Sequence, residues 1–135
     1  MAKVTFTLEE LLEILIANRL LHPRIVRVKV KGDEIHFVIV TNEFALPYIP
    51  ASLRYLGFND NNALFELTIT PGRANRDMSR FNQALKLKMP AYVKLEYPKV
   101  FVNVDRLLRE RNIRGIKIED ISFQNGEFTI LTGNI

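Results

Sequence analysis

The chain has no cysteine, only two histidines and no long uncharged apolar run among its 135 residues. The absence of cysteine excludes disulfide bonds and thiolate chemistry and is typical of a reducing compartment, so we expect a cytoplasmic protein. The most apolar stretch, residues 8–21, is interrupted by three glutamates, an asparagine and an arginine. It is too short and too charged to span a membrane, and it lacks the features of a secretory signal.

Residues that would support catalysis or hold a cofactor are also scarce. No cysteine pair and no His-x-x-x-His or Glu-x-x-His spacing predicts a metal site, and no glycine-rich loop predicts a phosphate cradle. His22 precedes Pro23 where a helix should end, and His36 belongs to the polar side of a hairpin. Glu119 and Asp120 are adjacent, so on a strand they would point to opposite faces. We therefore expect a non-catalytic protein without metal or cofactor, unless a partner chain or an added metal completes a site.

Composition predicts one globular domain over residues 1–135, because 47% of the residues are apolar, 25% are charged and no Gly/Ser linker divides the chain. The net charge of +4 is unevenly distributed. Residues 1–67 carry seven basic and eight acidic side chains, and residues 68–135 carry twelve and seven. This asymmetry is consistent with ordinary surface solvation or with an anionic partner.

A strand, a helix and a hairpin follow one another twice, in units of about 3–41 and 99–133. The two helix N-caps, Thr7 and Asn103, are 103 − 7 = 96 positions apart. A connecting hairpin and a short basic helix are predicted between the units. The duplication predicts an α+β fold in which one pseudo-symmetric, curved antiparallel sheet packs on a long N-terminal helix.

The first helix carries more apolar residues than one sheet can cover. Thr7 and Glu10 form the capping-box pattern that starts a helix, and Pro23 predicts an end near Leu21. The apolar set is wider than a single stripe, so the helix should contact a second surface: another layer, a second subunit or a ligand. The set comprises Leu8, Leu11, Leu12, Ile14, Leu15, Ile16, Leu20 and Leu21.

Turn chemistry predicts three hairpins and their registers. Gly32-Asp33 suits a two-residue turn, and Asn125-Gly126 is a strong hairpin signal. The polar run 59–62 should form the middle turn, and residues 91–97 alternate as a further strand. The predicted facing pairs are Lys31–Glu34, Val30–Ile35, Val28–Phe37, Val26–Ile39, Phe123–Phe128 and Ile121–Ile130.

Two segments have features of a binding surface. In residues 42–53, Pro47 and Pro50 argue against a central strand, yet the segment is rich in large apolar groups. It should cover the core edge, contact a partner, line a pocket mouth or dip into a lipid surface. Residues 73–88 form a basic amphipathic segment, with a helix from Met78 to Lys86. Its apolar side chains either join the core or accompany basic residues that bind an anionic headgroup, a phosphate or an acidic protein. Nucleic acid is the less favoured partner, because no recognised motif is present.

The C-terminal unit resembles a known family. Val104-Asp105-Arg106-Leu107-Leu108, followed by Ile116-Lys117-Ile118-Glu119-Asp120-Ile121-Ser122-Phe123-Gln124-Asn125-Gly126-Glu127-Phe128, is similar to a pattern in bacterial phospholipid-binding proteins of the tubular lipid-binding superfamily. The resemblance implies a long helix on a highly curved sheet, with acyl chains held between them. The family's contacts are apolar, so it assigns no single functional residue.

These observations together predict non-catalytic binding of an amphiphile or acyl chain between helix and sheet. One alternative is a homo-oligomeric scaffold that uses the apolar face of the first helix. Another is binding of an anionic partner, such as nucleic acid, through residues 73–88. The predicted lining comprises Leu11, Leu15 and Ile16 on the helix, Phe44, Leu46, Tyr48 and Ile49 at the mouth, and Arg76 and Arg80 for a headgroup.

Overall fold

The computed structural model describes residues 2–21, 23–40, 48–69, 90–96 and 98–133. Within these ranges the protein has two α-helices and nine β-strands, which confirms the mixed α+β class. The predicted helix at 78–86 and the first half of the loop at 42–53, residues 42–47, lie outside the described residues. The elements are β1 (Ala2–Thr7), α1 (Leu8–Ala17), β2 (Ile25–Lys31), β3 (Glu34–Val40), β4 (Tyr48–Asn59), β5 (Asn62–Ile69), β6 (Val93–Glu96), β7 (Lys99–Asn103), α2 (Val104–Glu110), β8 (Lys117–Gln124) and β9 (Glu127–Gly133).

The strands form two antiparallel sheets, so the prediction of one pseudo-symmetric sheet is wrong. The smaller sheet has the order β1-β9-β8, and the larger has the order β2-β3-β4-β5-β7-β6. The leading strand of the first unit, β1, pairs with the hairpin of the second unit. Local turn and cap chemistry specifies each unit but carries no information about this distant pairing.

The larger sheet has the same arrangement of strands as the smaller sheet, with two additional strands inserted. In the smaller sheet, the second unit's hairpin, β8-β9, is followed by the first unit's leading strand, β1. In the larger sheet, the first unit's hairpin, β2-β3, is followed by the β4-β5 hairpin and then by the second unit's leading strand, β7. Two inserted strands preserve the antiparallel relation between β3 and β7, and β6 extends the outer edge. Each sheet therefore combines a hairpin from one unit with the leading strand of the other.

Both helices begin at the predicted caps. The Glu10 amide donates to Thr7 Oγ1 over 3.1 Å, and the Thr7 amide donates to Glu10 Oε1 over 2.9 Å, which completes the capping box. At α2, the Arg106 amide donates to Asn103 Oδ1 over 3.0 Å. The expected long N-terminal helix is nevertheless absent from the described residues, because α1 has only ten residues.

The two helices end in the same hydrogen-bonded motif. After α1, Arg19 takes a left-handed φ of 54°, and the Arg19 and Leu20 amides donate to the carbonyls of Ile16 and Leu15. This Schellman motif ends the helix four residues before Leu21. After α2, Asn112 occupies the left-handed position, and the Asn112 and Ile113 amides donate to the carbonyls of Arg109 and Leu108. The N-caps are 96 positions apart, and α2 is three residues shorter than α1. The two left-handed residues are therefore 112 − 19 = 93 positions apart.

The hairpin turns follow the prediction, and a bulge changes one register. Lys31 pairs with Glu34 across a turn in which Gly32 has a φ of 62°. Asn125 and Gly126 both have positive φ, as a type I′ turn requires. The pairs Val30–Ile35, Phe123–Phe128 and Ile121–Ile130 are confirmed. A bulge at Arg27, where φ is 54°, pairs Val26 with Val38 and places Ile25 opposite Ile39, so the predicted Val26–Ile39 pair is wrong.

Pro50 lies inside a long central strand, which corrects the prediction that residues 48–53 avoid such a strand. Pro50 pairs with Val38 of β3. On the other side of β4, the described part of β5 ends at Ile69, opposite Ala51. Within the described residues, Pro50 thus has a strand neighbour on one side only, so its missing N–H interrupts no ladder with β5.

The core lies on one face of the larger sheet, and an aromatic cluster joins it to the smaller sheet. The Tyr55 ring lies 5.2 Å from the Phe128 ring and 5.4 Å from the Phe65 ring, both edge to face. Phe128 also contacts Phe6 and Phe123. The buried cluster on the larger sheet comprises Phe37, Ile39, Ile49, Ala51, Leu67, Leu95 and Val100.

Candidate binding surface

The apolar face of α1 is wider than the part of it that the protein buries. Leu8 and Leu12 are buried. At about 100° per residue, Leu8 and Leu12 mark the centre of an apolar arc that extends to Ile14 on one flank and Ile16 on the other. Ile14 is 46% exposed and Ile16 is 55% exposed. Both flanks of the helix therefore present apolar surface to solvent.

The predicted lining residues occupy different environments. Leu11 and Leu15 are half-buried on α1, beside the exposed Ile16. Tyr48, at the start of β4, is largely exposed, whereas the neighbouring Ile49 belongs to the buried core. Phe44, Leu46, Arg76 and Arg80 lie outside the described residues.

Five large exposed apolar residues of the described chain were not among the predicted site residues: Val4, Ile14, Leu56, Ile113 and Ile116. Ile14 belongs to the apolar set of the first helix, and a helical projection identifies its place on the flank. Val4 alternates with Phe6 on β1 and resembles a core-facing strand residue in the sequence, yet it is 51% exposed. Only the sheet topology indicates that β1 lies at an edge.

A basic depression of about 540 Å³ lies on the polar face of β2, β3 and β4. Its rim is formed by the cations Arg27, Lys29 and Lys31 together with His36, and Val38 and Pro50 also line it. Three cations on an edge strand also protect the edge from pairing with another chain. The sequence analysis predicted a basic surface only at residues 73–88, which lie outside the described residues, and it did not predict the cluster on β2.

A row of alternating charges crosses the polar face of the larger sheet, with one residue from each strand. The first three members, Lys31, Glu34 and Arg54, are paired in register, and Arg54 donates to Glu66 over 2.9 Å. Opposite charges on directly facing residues stabilise strand pairing modestly. The row therefore supports the pairing order of the sheet. Its members in spatial order are Lys31, Glu34, Arg54, Glu66, Lys99 and Glu96.

A smaller depression of about 450 Å³ lies beside α2 and is lined by Asn103, Arg106, Arg109 and Glu110. Asn103 caps the helix, and Arg106 Nε lies 3.5 Å from Glu110 Oε1. These side chains are thus already used by the helix itself.

The one group with a clearly shifted pKa among the described residues is Tyr55. Burial, together with the nearby charge of Asp120, raises the pKa of the Tyr55 hydroxyl well above its ordinary value. The hydroxyl donates to the backbone carbonyl of Ile121 over 2.6 Å. A neutral tyrosine held in this way is a structural tie between two strands.

The described part of the chain contains no cluster of three His, Asp or Glu side chains able to hold a metal ion. In the same residues, no helix is long and apolar enough to cross a membrane. No family model, curated protein or solved structure matches the chain. The resemblance to tubular lipid-binding proteins therefore stays a prediction, and the surfaces described above are the features that indicate a function.

Proposed function

We propose that this protein is a non-catalytic binding protein whose ligand is an amphiphile or acyl chain held against the apolar face of α1. The observation that supports this most directly is the exposure of Ile14 and Ile16 on either flank of a helix whose centre, Leu8 and Leu12, is buried. On one flank, Ile14 adjoins the half-buried Leu11 and Leu15, and contiguous apolar surface of this kind is typical of a face that another molecule covers.

The energetics favour a ligand with a long apolar part. Each methylene that leaves water contributes about 0.8 kcal/mol, whereas the open charged depressions on β2 and α2 offer mainly weak, screened interactions. An acyl chain that crosses the C-terminal half of α1 obliquely, from Leu11 past Leu15 to Ile16, would cover surface that the protein leaves half-exposed. The headgroup would be bound by cations, for which Arg76 and Arg80 remain the predicted residues.

Chain length provides the sharpest test. Binding of cis-parinaric acid, read by its fluorescence, and its displacement by octanoate, decanoate and laurate would give a series of dissociation constants. We expect each pair of added methylenes to tighten binding by about tenfold. Native mass spectrometry of gently purified protein, with solvent extraction, would identify any lipid that accompanies it.

Matched variants locate the site. Ile16→Gln removes an apolar side chain from α1, whereas Ile113→Gln changes a residue of similar exposure, 44%, after α2. We expect the first variant to weaken cis-parinaric acid binding by about tenfold and the second to leave it unchanged. No binding by the wild-type protein, or equal losses in both variants, would count against the proposal.

The second candidate function is that of a homo-oligomeric scaffold in which a second copy covers the same face of α1. The exposed flanks favour it as well, because symmetric interfaces bury apolar patches of this kind. Light scattering separates the two functions: a dimer that Ile16→Gln dissociates, and that binds no cis-parinaric acid, would identify the scaffold.

A further inference from the structure

Four of the described strands lie at sheet edges: β1 and β8 in the smaller sheet, and β2 and β6 in the larger. Natural edges carry features that discourage pairing with another chain. β8 has a bulge between Ile118 and Asp120, β2 has the bulge at Arg27 and two exposed lysines, and β6 has only four residues, two of them charged. Three of the four edges are thus protected.

β1 has the fewest of these protective features. All six of its residues pair with β9 in unbroken register, without a bulge. Its sequence contains no proline and a single charged residue, Lys3. Val4, in the middle of the strand, is 51% exposed although it shares a sheet face with the buried Phe128. Among the described residues, no strand pairs with the outer edge of β1.

The internal repeat shows what a covered edge looks like. The N-cap offset of 96 makes β7 the counterpart of β1 and Val100 the counterpart of Val4, since 100 − 4 = 96. Val100 is only 8% exposed, and Leu95, its partner on the outer strand β6, is 1% exposed. An antiparallel strand lies outside β7, whereas no described strand lies outside β1, and Val100 also belongs to the buried core of the larger sheet.

We propose that β1 of a second copy of this chain fills that position, so that two smaller sheets join into one six-stranded sheet, β8-β9-β1-β1-β9-β8, across a two-fold axis. The interface is distinct from the apolar flanks of α1, so it does not rest on the proposed function.

The sequence of β1 restricts the register. Residues that face each other directly point to the same side of a sheet. The apolar faces of the two smaller sheets are therefore continuous only when Val4 and Phe6 each lie opposite an apolar residue of the partner strand. A two-fold axis at Lys3 would set two like charges opposite each other, which destabilises pairing. An axis at Thr5 would set Val4 opposite the partner's Phe6, which is already half-buried. An axis at Val4 places Val4 opposite the partner's Val4 and Lys3 opposite the partner's Thr5, and we propose this register because it brings the two exposed valines together. This register covers the exposed valine on both chains.

The proposed dimer should be weak. A single pair of six-residue strands buries less than the roughly 1,200 Å² typical of stable interfaces. We therefore expect a concentration-dependent equilibrium between monomer and dimer.

Sedimentation equilibrium of the full chain tests the proposal with a charge swap. Val4→Lys and Val4→Glu should each weaken self-association by about a hundredfold, or about tenfold for each valine lost, because like charges would meet at the axis. A mixture of the two variants should associate again. The control, Leu56→Lys, changes an exposed leucine of β4 and should leave association unchanged.

The absence of cysteine permits a direct test of the register. Directly facing Cβ atoms are about 4.5–5.5 Å apart, and diagonal ones about 7–8 Å. Mild oxidation should therefore crosslink Val4→Cys and not Thr5→Cys. A chain that stays monomeric at every concentration, a dimer that neither charged variant weakens, or crosslinking of Thr5→Cys alone would overturn the proposal. Ile16→Gln should leave this dimer intact, which separates it from the surface on α1.

Discussion

The Tyr55 hydroxyl donates a 2.6 Å hydrogen bond to the backbone carbonyl of Ile121, and this bond links the two sheets. Tyr55 belongs to β4 of the larger sheet, and Ile121 belongs to the edge strand β8 of the smaller one. The same ring contacts Phe128 and Phe65 edge to face. One side chain thus combines aromatic packing between the sheets with a polar contact to an edge strand.

The first prediction concerns this bond. Tyr55→Phe preserves the ring contacts and leaves the Ile121 carbonyl without its donor, so we expect the free energy of unfolding to fall by about 1–3 kcal/mol. Urea denaturation of wild type and variant measures the difference. Tyr48→Phe is the matched control, because Tyr48 is largely exposed, and it should change stability by less than about 0.5 kcal/mol. Equal effects of the two variants would contradict the structural role of the hydroxyl.

The second prediction concerns pH. Burial and the charge of Asp120 raise the pKa of Tyr55 in the folded protein, whereas in the unfolded chain tyrosine loses its proton near pH 10. Above about pH 10 the folded state therefore holds more protons than the unfolded state, and stability falls as pH rises. The stability gap between wild type and Tyr55→Phe should narrow when urea denaturation is repeated from about pH 8 to pH 11. A gap that stays constant would show that the tyrosine is not shifted.

Features that depend on neighbouring residues were predictable from the sequence. The capping box of Thr7 and Glu10 and the Asn125-Gly126 turn each need particular side chains within a few residues, and the structure confirms both. The end of α1 was not predictable in this way. Arg19 occupies a left-handed position that glycine normally fills, while Leu20 and Leu21 continue the apolar pattern of the helix.

Features that depend on distant pairing were not predictable either. The β1–β9 pairing joins Ala2 to Thr132, and the alternation of β1 suits a buried strand as well as an edge. The exposure of Val4 therefore gave no signal in the sequence. The excess apolar surface of α1 was predictable, because the width of an arc follows from helical spacing alone. Which residue on the arc stays exposed, such as Ile14, depends on tertiary packing.

The third prediction compares the two helix caps. Thr7→Ala and Asn103→Ala each remove a side-chain acceptor for a backbone amide of the first turn, so each should lower the free energy of unfolding by about 1 kcal/mol. Thr7→Ser keeps the acceptor and should retain most of the stability. Urea denaturation checks all three variants. An unchanged midpoint for Thr7→Ala would indicate that the capping box contributes little to the folded state.

The fourth prediction uses the row of alternating charges. Lys99 lies between Glu66 and Glu96, whereas Lys31 at the sheet edge faces only Glu34. Lys99→Glu should therefore destabilise the protein by about 1 kcal/mol, and Lys31→Glu by about half as much. The difference should shrink in about 1 M salt, because these side chains are partly exposed and screened. Equal effects at low salt would show that the row does not act as a set of neighbouring pairs.

The fifth prediction concerns the bulge in β2. Arg27 has a φ of 54°, a region that costs a residue with a Cβ about 1–2 kcal/mol, while glycine loses about 0.5–1 kcal/mol more chain entropy on folding. Arg27→Gly should therefore be more stable than Arg27→Ala by about 0.5–1 kcal/mol, although both remove the same charge.

At Lys29, which follows the bulge and has ordinary strand geometry, the order should reverse, because glycine weakens a regular strand. Urea denaturation of the four variants checks the reversal. If glycine is the less stable substitution at both positions, the positive φ of Arg27 does not favour glycine, and the prediction is wrong.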